Sequence, residues 1–553
     1  MLGLLPPRAP RAVPSRATRV GTAVATAFLA VAAFAADTGP VPKTPIRHLV
    51  VLFQENHSFD AYFGTYPNAL NPPGQPAFRA RPRTPASNGL TPTLLARNPN
   101  TSPPFRIDRL QSFTCDQDHA YTSELKAHNG GLMDRFVQFG AEGPFDSREF
   151  CHKSATGAWD TVMGYFDGNT VTALWNYAQH FALSDNSYAT MSGQSTRGAL
   201  NLAAGDTFGV LCGPPSAVYG AVPECGTAAA SAATPAPTNG VLGTFVDDTD
   251  PFWDACSQGP TAALTGRNIG DLLTAAGVTW GWFQGGFTRD GKGACTASHA
   301  LEAFDRATGV DLRTDPLRFP DYVPHHNPFQ YYASTANPQH LPPTSVAMVG
   351  RTDQAKHLYD LTWFWEAARA GHLPAVTFLK APAYQNGHPG NSNPLDEQAY
   401  LVETLNRLQQ LPEWRSMAVI IAVDDSDGWY DHVMPPIVNQ STTPLDVLCG
   451  ERSDGPGARC GYGPRLPLLV ISPYAKENYV SHALTDQTSI LRFIEDNWLG
   501  GERVSELSFD RIAGPLDDMF DFSAPAMRRL LLDPVTGLRQ PVRAGKASQG
   551  AIR

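Results

Sequence analysis

The chain is poor in charge: only 17% of its 553 residues are charged types, 42 basic against 52 acidic, for a formal charge of −10. That balance excludes a generic basic nucleic-acid binder. With 42% hydrophobic residues it also excludes a disordered chain. Cysteine is sparse too. Eight are too few for a disulfide-built miniprotein, and no two form a C-x-x-C pair, which argues against thiolate zinc or dithiol redox chemistry. No apolar run reaches the ~20 residues that span a bilayer. Internal repeats, a glycine-rich P-loop and a dinucleotide fingerprint are also missing.

Glycine and proline, 48 of each, are plentiful and point to long loops. The length leaves room for three or four domains, but an α/β enzyme also grows as one sheet with insertions. The second reading is preferred: one catalytic domain over residues 36–540, insertion loops near 65–110 and 214–240, and a flexible tail at 541–553.

The first residues carry Arg8, Arg11, Arg16 and Arg19 without an acid, followed by the alanine-rich run Val20 to Phe34 and the small-x-small triplet Ala33-Phe34-Ala35. This is the layout of a signal peptide over residues 1–35. A single-span anchor is the competing reading, and the run is short for it. Cleavage leaves 38 basic against 52 acidic side chains, a charge of −14. The expected location is periplasmic or extracellular, with no stable membrane anchor in the mature chain. An even cysteine count suits that compartment. Cys212 with Cys225 and Cys449 with Cys460 bracket short loops and are expected to be bridged; Cys115, Cys151, Cys256 and Cys295 then pair in one of three ways.

Ile46 to Phe53 is a β-rich apolar run that ends in Gln54-Glu55-Asn56-His57, and Met417 to Val423 runs likewise into Asp424-Asp425-Ser426-Asp427-Gly428. Further strands are expected at Val278–Phe283, Ala375–Leu379 and Leu468–Ile471. Helices are expected at Asp396–Gln410 and Thr485–Leu499, the latter capped by Thr485 or Asp486 and stopped by Gly500. Alternating strands and helices predict an α/β fold, a large, mainly parallel β-sheet flanked by helices. Ligands of such sheets sit beyond the carboxyl ends of the strands.

Two adjacent carboxylates at the end of a buried strand repel each other unless a divalent cation holds them, so Asp424-Asp425 is a metal candidate. A solvated turn is the competing view, and an EF-hand fails for lack of spaced ligands. Glu55-Asn56 abuts an equally apolar strand. Ser195, in Ser192-Gly193-Gln194-Ser195-Thr196-Arg197-Gly198, enters a helix N-terminus whose donors suit an oxyanion; an ordinary serine N-cap accounts for it equally well. The lipase elbow fails, because position 197 is Arg. His119, His325, His326 and His388 complete the polar set. Trp280, Trp282, Phe283 and Phe287 fit a lipid slot and a hydrophobic core equally.

The run HLVVLFQENHSFDAYFGTYP (His48–Pro67) resembles the opening signature of the bacterial phosphoesterase family of secreted acid phosphatases and phospholipases C, in the alkaline-phosphatase-like superfamily. Further blocks agree in order: CDQDHAYTSELKAHNGGLMDRF (Cys115–Phe136), SGQST (Ser192–Thr196), WGWFQGGF (Trp280–Phe287), YVPHHNPFQYY (Tyr322–Tyr332), HPGNSNP (His388–Pro394), DDSDGWYDH (Asp424–His432) and TDQTSILRFIEDNWLGG (Thr485–Gly501). The resemblance spans about residues 44 to 535. It implies an alkaline-phosphatase-like fold and one divalent ion, Mg²⁺, Ca²⁺, Mn²⁺ or Zn²⁺, held by Glu55, Asn56, Ser195, Asp424 and Asp425. It makes Ser195 the nucleophile and sets His119, His325, His326 and His388 around the phosphoryl group or beside the leaving oxygen.

Two departures stand out. Members often read Tyr-Asp-Glu-His-Gly-Gly where this chain has Val423-Asp424-Asp425-Ser426-Asp427-Gly428, and Gln194 replaces a frequent Pro. The Asp-Asp-Ser-Asp-Gly and Pro-His-His forms look closer to the acid-phosphatase branch. The expected function is a broad acid phosphomonoesterase working through a phosphoserine, its acidic optimum set by imidazoles of ordinary pKa ~6.5. Phospholipase C cleavage of phosphatidylcholine-type diesters is the alternative. A sulfatase-like protein lacks its C/S-x-P-S-R context here, and a non-catalytic adhesin would not need this residue set. The expected partner is a small phosphate ester or a phospholipid, not nucleic acid. The sequence carries no signal for an oligomeric state.

Overall fold

The computed structural model describes residues 40–141, 150–211, 248–258, 261–287, 295, 297–301, 318–438 and 461–540. The expected signal peptide, the 214–240 loop, the 541–553 tail and the Cys212–Cys225 and Cys449–Cys460 bridges lie outside these residues.

An eight-stranded sheet organises the chain. Its strands are β1 (His48–Gln54), β2 (Ala182–Ser184), β3 (Trp280–Gln284), β4 (Leu358–Asp360), β5 (Val376–Lys380), β6 (Met417–Val423), β7 (Leu468–Ile471) and β8 (Tyr479–Ser481). They lie in the order β4-β3-β5-β1-β6-β7-β2-β8. All pairings are parallel except those of β7, which runs against both β6 and β2. Fully buried runs such as LVVLF and MAVIIAV leave no polar face, as a sheet covered on both sides requires. Beside it lie the helices α1 (Tyr121–His128), α2 (Thr172–Ala178), α3 (Ser195–Ala204), α4 (Leu361–Ala370), α5 (Pro394–Leu408) and α6 (Thr488–Trp498). The five expected strands and both helices are present.

Several details differ from expectation. The short strands β2, β4 and β8 carry too few residues to show a period. Thr485-Asp486 is not the cap of α6 but pairs as a strand with Ser187-Tyr188, and Gln487 takes the N-cap place. Asp486 nevertheless accepts from the Thr488 amide at 3.1 Å. Residues 65–110 are only partly a surface insertion: Phe78 is buried in the core, Pro92–Ala96 is a helix, and Phe105–Arg106 pairs with Gly164–Tyr165. Trp280, Trp282, Phe283 and Phe287 are core and not a lipid slot. Both tryptophans pack on Phe329 and Phe283 stacks on Tyr359, all out of solvent. The four remaining cysteines pair as Cys115–Cys151 and Cys256–Cys295. Among the described residues no helix is long and apolar enough to cross a membrane.

Candidate active site

The register of β1 against β6 is what assembles the site. His48 pairs with Met417 and Gln54 with Val423, so Glu55 and Asp424, the next residues on parallel neighbours, leave the sheet side by side. On the other flank Leu52 pairs with Leu379, which puts Lys380 level with Phe53. Gln487 pins the end of β6 by donating to the Val423 and Asp424 carbonyls at 3.0 and 2.5 Å. Asn56 and Asp427 both adopt positive φ, 62° and 50°, a conformation uncommon outside glycine and clustered at functional sites.

Helix α3 delivers Ser195 to this edge. Gln194 is its N-cap, without a side-chain hydrogen bond, so Ser195 is the first helical residue and not a capping serine. Its Oγ donates to Asp425 Oδ2 at 2.8 Å and lies 3.3 Å from Asn56 Oδ1. The helix comes this close because Gly198 faces the Asp424 carbonyl, where a Cβ would collide with backbone. Gly193, at φ 110°, likewise has no room for a side chain beside the Arg197 guanidinium.

Glu55, Asn56, Ser195, Asp424 and Asp425 are therefore brought together, all buried. Asp424 Oδ1 accepts from the amides of Asn56 and Asp425, at 3.2 and 2.8 Å, and its Oδ2 accepts from Lys380 Nζ at 3.0 Å. Glu55 Oε1 meets Lys380 Nζ and His326 Nδ1, each at 2.7 Å. Both Glu55 oxygens are buried without a well-directed hydrogen bond, and Oε2 has no ion-pair contact either. Burial raises the Asp425 carboxyl, as does Asp248, against the pull of His119. Burial also raises Asp424, with Glu55 and Asp425 adding and Lys380 opposing. Burial would raise Glu55 too, but His326 and Lys380 outweigh it and hold the carboxyl well below the usual range. An orphaned carboxylate oxygen, an amide oxygen, a serine hydroxyl and excess buried negative charge form a hard oxygen donor set, which fits a divalent ion.

The four histidines differ in kind. His119 donates from Nδ1 to the Gln117 carbonyl at 2.7 Å and sits 3.2 Å from Asp427 Oδ1. Burial opposes its charge, but Asp425, Asp116 and Asp248 raise its pKa to about 9. His325 faces Asp250 at 3.3 Å, and its pKa is raised against burial by Asp248 and Asp250. His326 is pulled down to about 3 by burial despite Glu55, so it is neutral and steadies Glu55 through its Nδ1 proton. His388 donates to the Pro389 carbonyl at 2.6 Å, its ring 6.4 Å from that of His119. The uniform pKa of ~6.5 expected of these rings does not hold, because acids crowd two of them and burial isolates a third.

Four further residues complete the site. Lys380 was legible only as a lone cation after the apolar VTFL. Asp427 lies inside the DDSDG motif. Glu124 accepts from the Gly193 amide at 2.6 Å and the Ser426 hydroxyl at 2.5 Å, joining the loop before Ser195 to the loop after Asp425. Asp248 accepts from the Thr196 amide at 3.0 Å. No local pattern marked it.

Among the described residues three other clusters have ligand-like composition. In Asp116, His119 and Asp427 the Nδ1 of His119 is engaged with the Gln117 carbonyl, which leaves Nε2 as its ligand atom. Cys256, beside Asp254 and His340, is in a disulfide. Asp60 and Asp431, beside His432, are both paired with buried Arg465, at 3.0 and 3.1 Å.

Comparison with known proteins gives the family. Residues 46–499 match the Phosphoesterase family. The chain belongs to that family. It is similar to the Non-hemolytic phospholipase C of Pseudomonas aeruginosa, 25% identical over 92% of this chain and 62% of that one. Phospholipase C B of Mycobacterium tuberculosis is also 25% identical, over 88% of this chain and 80% of its own. The chain thus spans about three fifths of the Pseudomonas relative's length. A crystal structure of a protein in the alkaline phosphatase superfamily from Vibrio parahaemolyticus shows a weaker likeness, 11% identity and a TM-score of 0.27 over 84% of this chain and 68% of that one.

Proposed function

We propose that this member of the Phosphoesterase family is an exported, divalent-metal-dependent phosphoric-ester hydrolase that works through Ser195. One observation carries the reading: Ser195 Oγ, at the start of a buried helix, donates to Asp425 Oδ2 at 2.8 Å inside a ring of buried carboxylates. A divalent ion held by Glu55, Asn56, Ser195, Asp424 and Asp425 would lower the pKa of the hydroxyl and neutralise a phosphoryl oxygen. Ser195 Oγ, passing its proton to Asp425 Oδ2, displaces the leaving oxygen in line from phosphorus, and the chain carries a phosphoserine while the alcohol departs. His119, cationic at neutral pH, and His325, whose charged form is favoured by Asp248 and Asp250, face the phosphoryl oxygens, and His119 gives its proton to the leaving alkoxide. Water, giving a proton to the now neutral His119, then attacks the phosphoserine; phosphate leaves and the Ser195 oxygen regains its proton from Asp425. His326 orients Glu55, and His388 closes the histidine side beside His119.

Because His119 and His325 keep their protons past the ordinary imidazole range, an optimum confined to acid pH does not follow from this geometry. Broad phosphomonoester hydrolysis remains the first substrate reading. The second, phospholipase C cleavage of a phosphodiester, is favoured by the names of the relatives. The arginine-led apolar leader and the two disulfides support export to an oxidising compartment. Aryl phosphate, aryl phosphorylcholine and phosphatidylcholine, assayed side by side with and without chelator, separate the substrates. Ser195→Ala should lower the rate by ~10⁴-fold or more with an unchanged circular dichroism spectrum. Wild-type turnover in that variant sinks the mechanism.

A further inference from the structure

Lys380 is buried completely, and its ammonium lies 2.7 Å from Glu55 Oε1 and 3.0 Å from Asp424 Oδ2. The two carboxylates stand on different strands. Lys380 ends β5, on one side of β1, and Asp424 follows β6, on the other, so the side chain crosses the end of β1. It does so over Phe53, with Nζ 5.0 Å from the ring centroid. Lysine is almost never fully buried unless paired, and this one is paired twice, with two of the proposed metal ligands.

Charge counting gives the arrangement a purpose. Glu55, Asp424 and Asp425 bring three negative charges. One divalent ion leaves a single buried negative charge, which is costly. Lys380 cancels it. In two-metal phosphoryl-transfer sites a second ion, ~3.5–4 Å from the first, bridges such carboxylates. Here the ammonium lies between two of them. Lys380 and His326 also form ion-pair contacts with Glu55 Oε1, although neither Glu55 oxygen makes a well-directed hydrogen bond.

We propose that Lys380 is a built-in cation standing in for a second metal ion, so that the site takes one divalent ion and no more. This rests on the reading of Glu55, Asn56, Ser195, Asp424 and Asp425 as a metal centre. Lys380 is a positioning and charge-balancing residue, not a catalytic one. A merely structural lysine would predict weaker or unchanged metal binding when it is replaced. A charge-balancing one predicts the opposite, because a doubly charged ion gains more than a competing proton when a neighbouring positive charge is removed.

The test is calorimetric titration of Mn²⁺ into chelator-stripped full-length protein at pH 8. The wild type should bind one ion. Lys380→Ala, which vacates the space between the carboxylates, should bind two. Lys380→Gln, which keeps the volume and hydrogen-bonding reach without the charge, should bind one ion at least tenfold more tightly. Lys380→Arg should behave as the wild type. One ion at wild-type or weaker affinity in Lys380→Gln overturns the proposal, as does a single ion in folded Lys380→Ala. If the wild type binds no Mn²⁺, the metal-centre reading itself falls, a result distinct from either of these.

Discussion

Replacing Glu124 by glutamine tests how the two halves of the site are held together. The carboxylate accepts from the Gly193 amide, two residues before Ser195, and from the Ser426 hydroxyl, the residue after Asp425. It is buried, and burial with the nearby Asp425 lifts its pKa to about 7 from 4.5, against the pull of Ser426, His119 and Gly193. Below pH 4.5 the group is neutral folded and unfolded. As pH rises toward 7 the unfolded chain ionises first, so the stability conferred by the retained proton is progressively lost. Each pKa unit is worth about 1.4 kcal/mol, so the loss between pH 5 and 8 is about 2 to 3 kcal/mol. Glutamine carries no such term: its oxygen faces Gly193 and its amino group donates to Ser426, as protonated Glu124 would. In metal-free protein, urea unfolding should place Glu124→Gln within about 1 kcal/mol of the wild type at pH 5. At pH 8 the variant should be more stable by about 2 to 3 kcal/mol. Parallel stability curves from pH 5 to 8 would refute the burial argument.

His119, raised to about 9, should give kcat/KM an alkaline limb near that pH, with activity present below it and lost above; His119→Gln should abolish the limb, and a limb at pH 6.5 in the wild type would contradict the acid cluster around the ring. Gly198→Ala places a methyl group against the Asp424 carbonyl and should cost about 1–3 kcal/mol by overpacking, with a larger fall in kcat than in KM; thermal unfolding and steady-state kinetics check both. Removing the Cys115–Cys151 bridge, which closes a sequence separation of 36 residues, should cost about 4 kcal/mol of unfolding free energy and loosen the segment that carries Asp116 and His119. A Cys115→Ala/Cys151→Ala protein of unchanged stability would show that this segment is held without it.

Much of the fold was legible because its central strands are uniform apolar runs bounded by sudden polarity: LVVLF before Gln54-Glu55-Asn56 and MAVIIAV before Asp424-Asp425. Period and burial are local properties, and a sheet covered on both faces writes them plainly. The proposed metal carboxylates could be named for the same reason, as charges abutting strands that leave no polar face. The short strands β2, β4 and β8, at three residues each, carry no period to read, and the aromatic block at 280–287 is ambiguous until its packing partners are known.

By itself the sequence determined which strands end in charge, that a serine opens a helix, and that the chain carries the blocks of its family. Only the tertiary structure decided how those ends meet. Parallel register sets Glu55 beside Asp424, the close approach at Gly198 brings Ser195 to Asp425, and Lys380 reaches across β1 from a strand more than thirty residues away in the chain from β6. The protonation of the histidines was likewise a tertiary matter. An imidazole's pKa is set by the acids and the solvent around it; for His119 those acids are Asp116, three residues before it, and Asp248 and Asp425, distant in sequence and adjacent only in the fold.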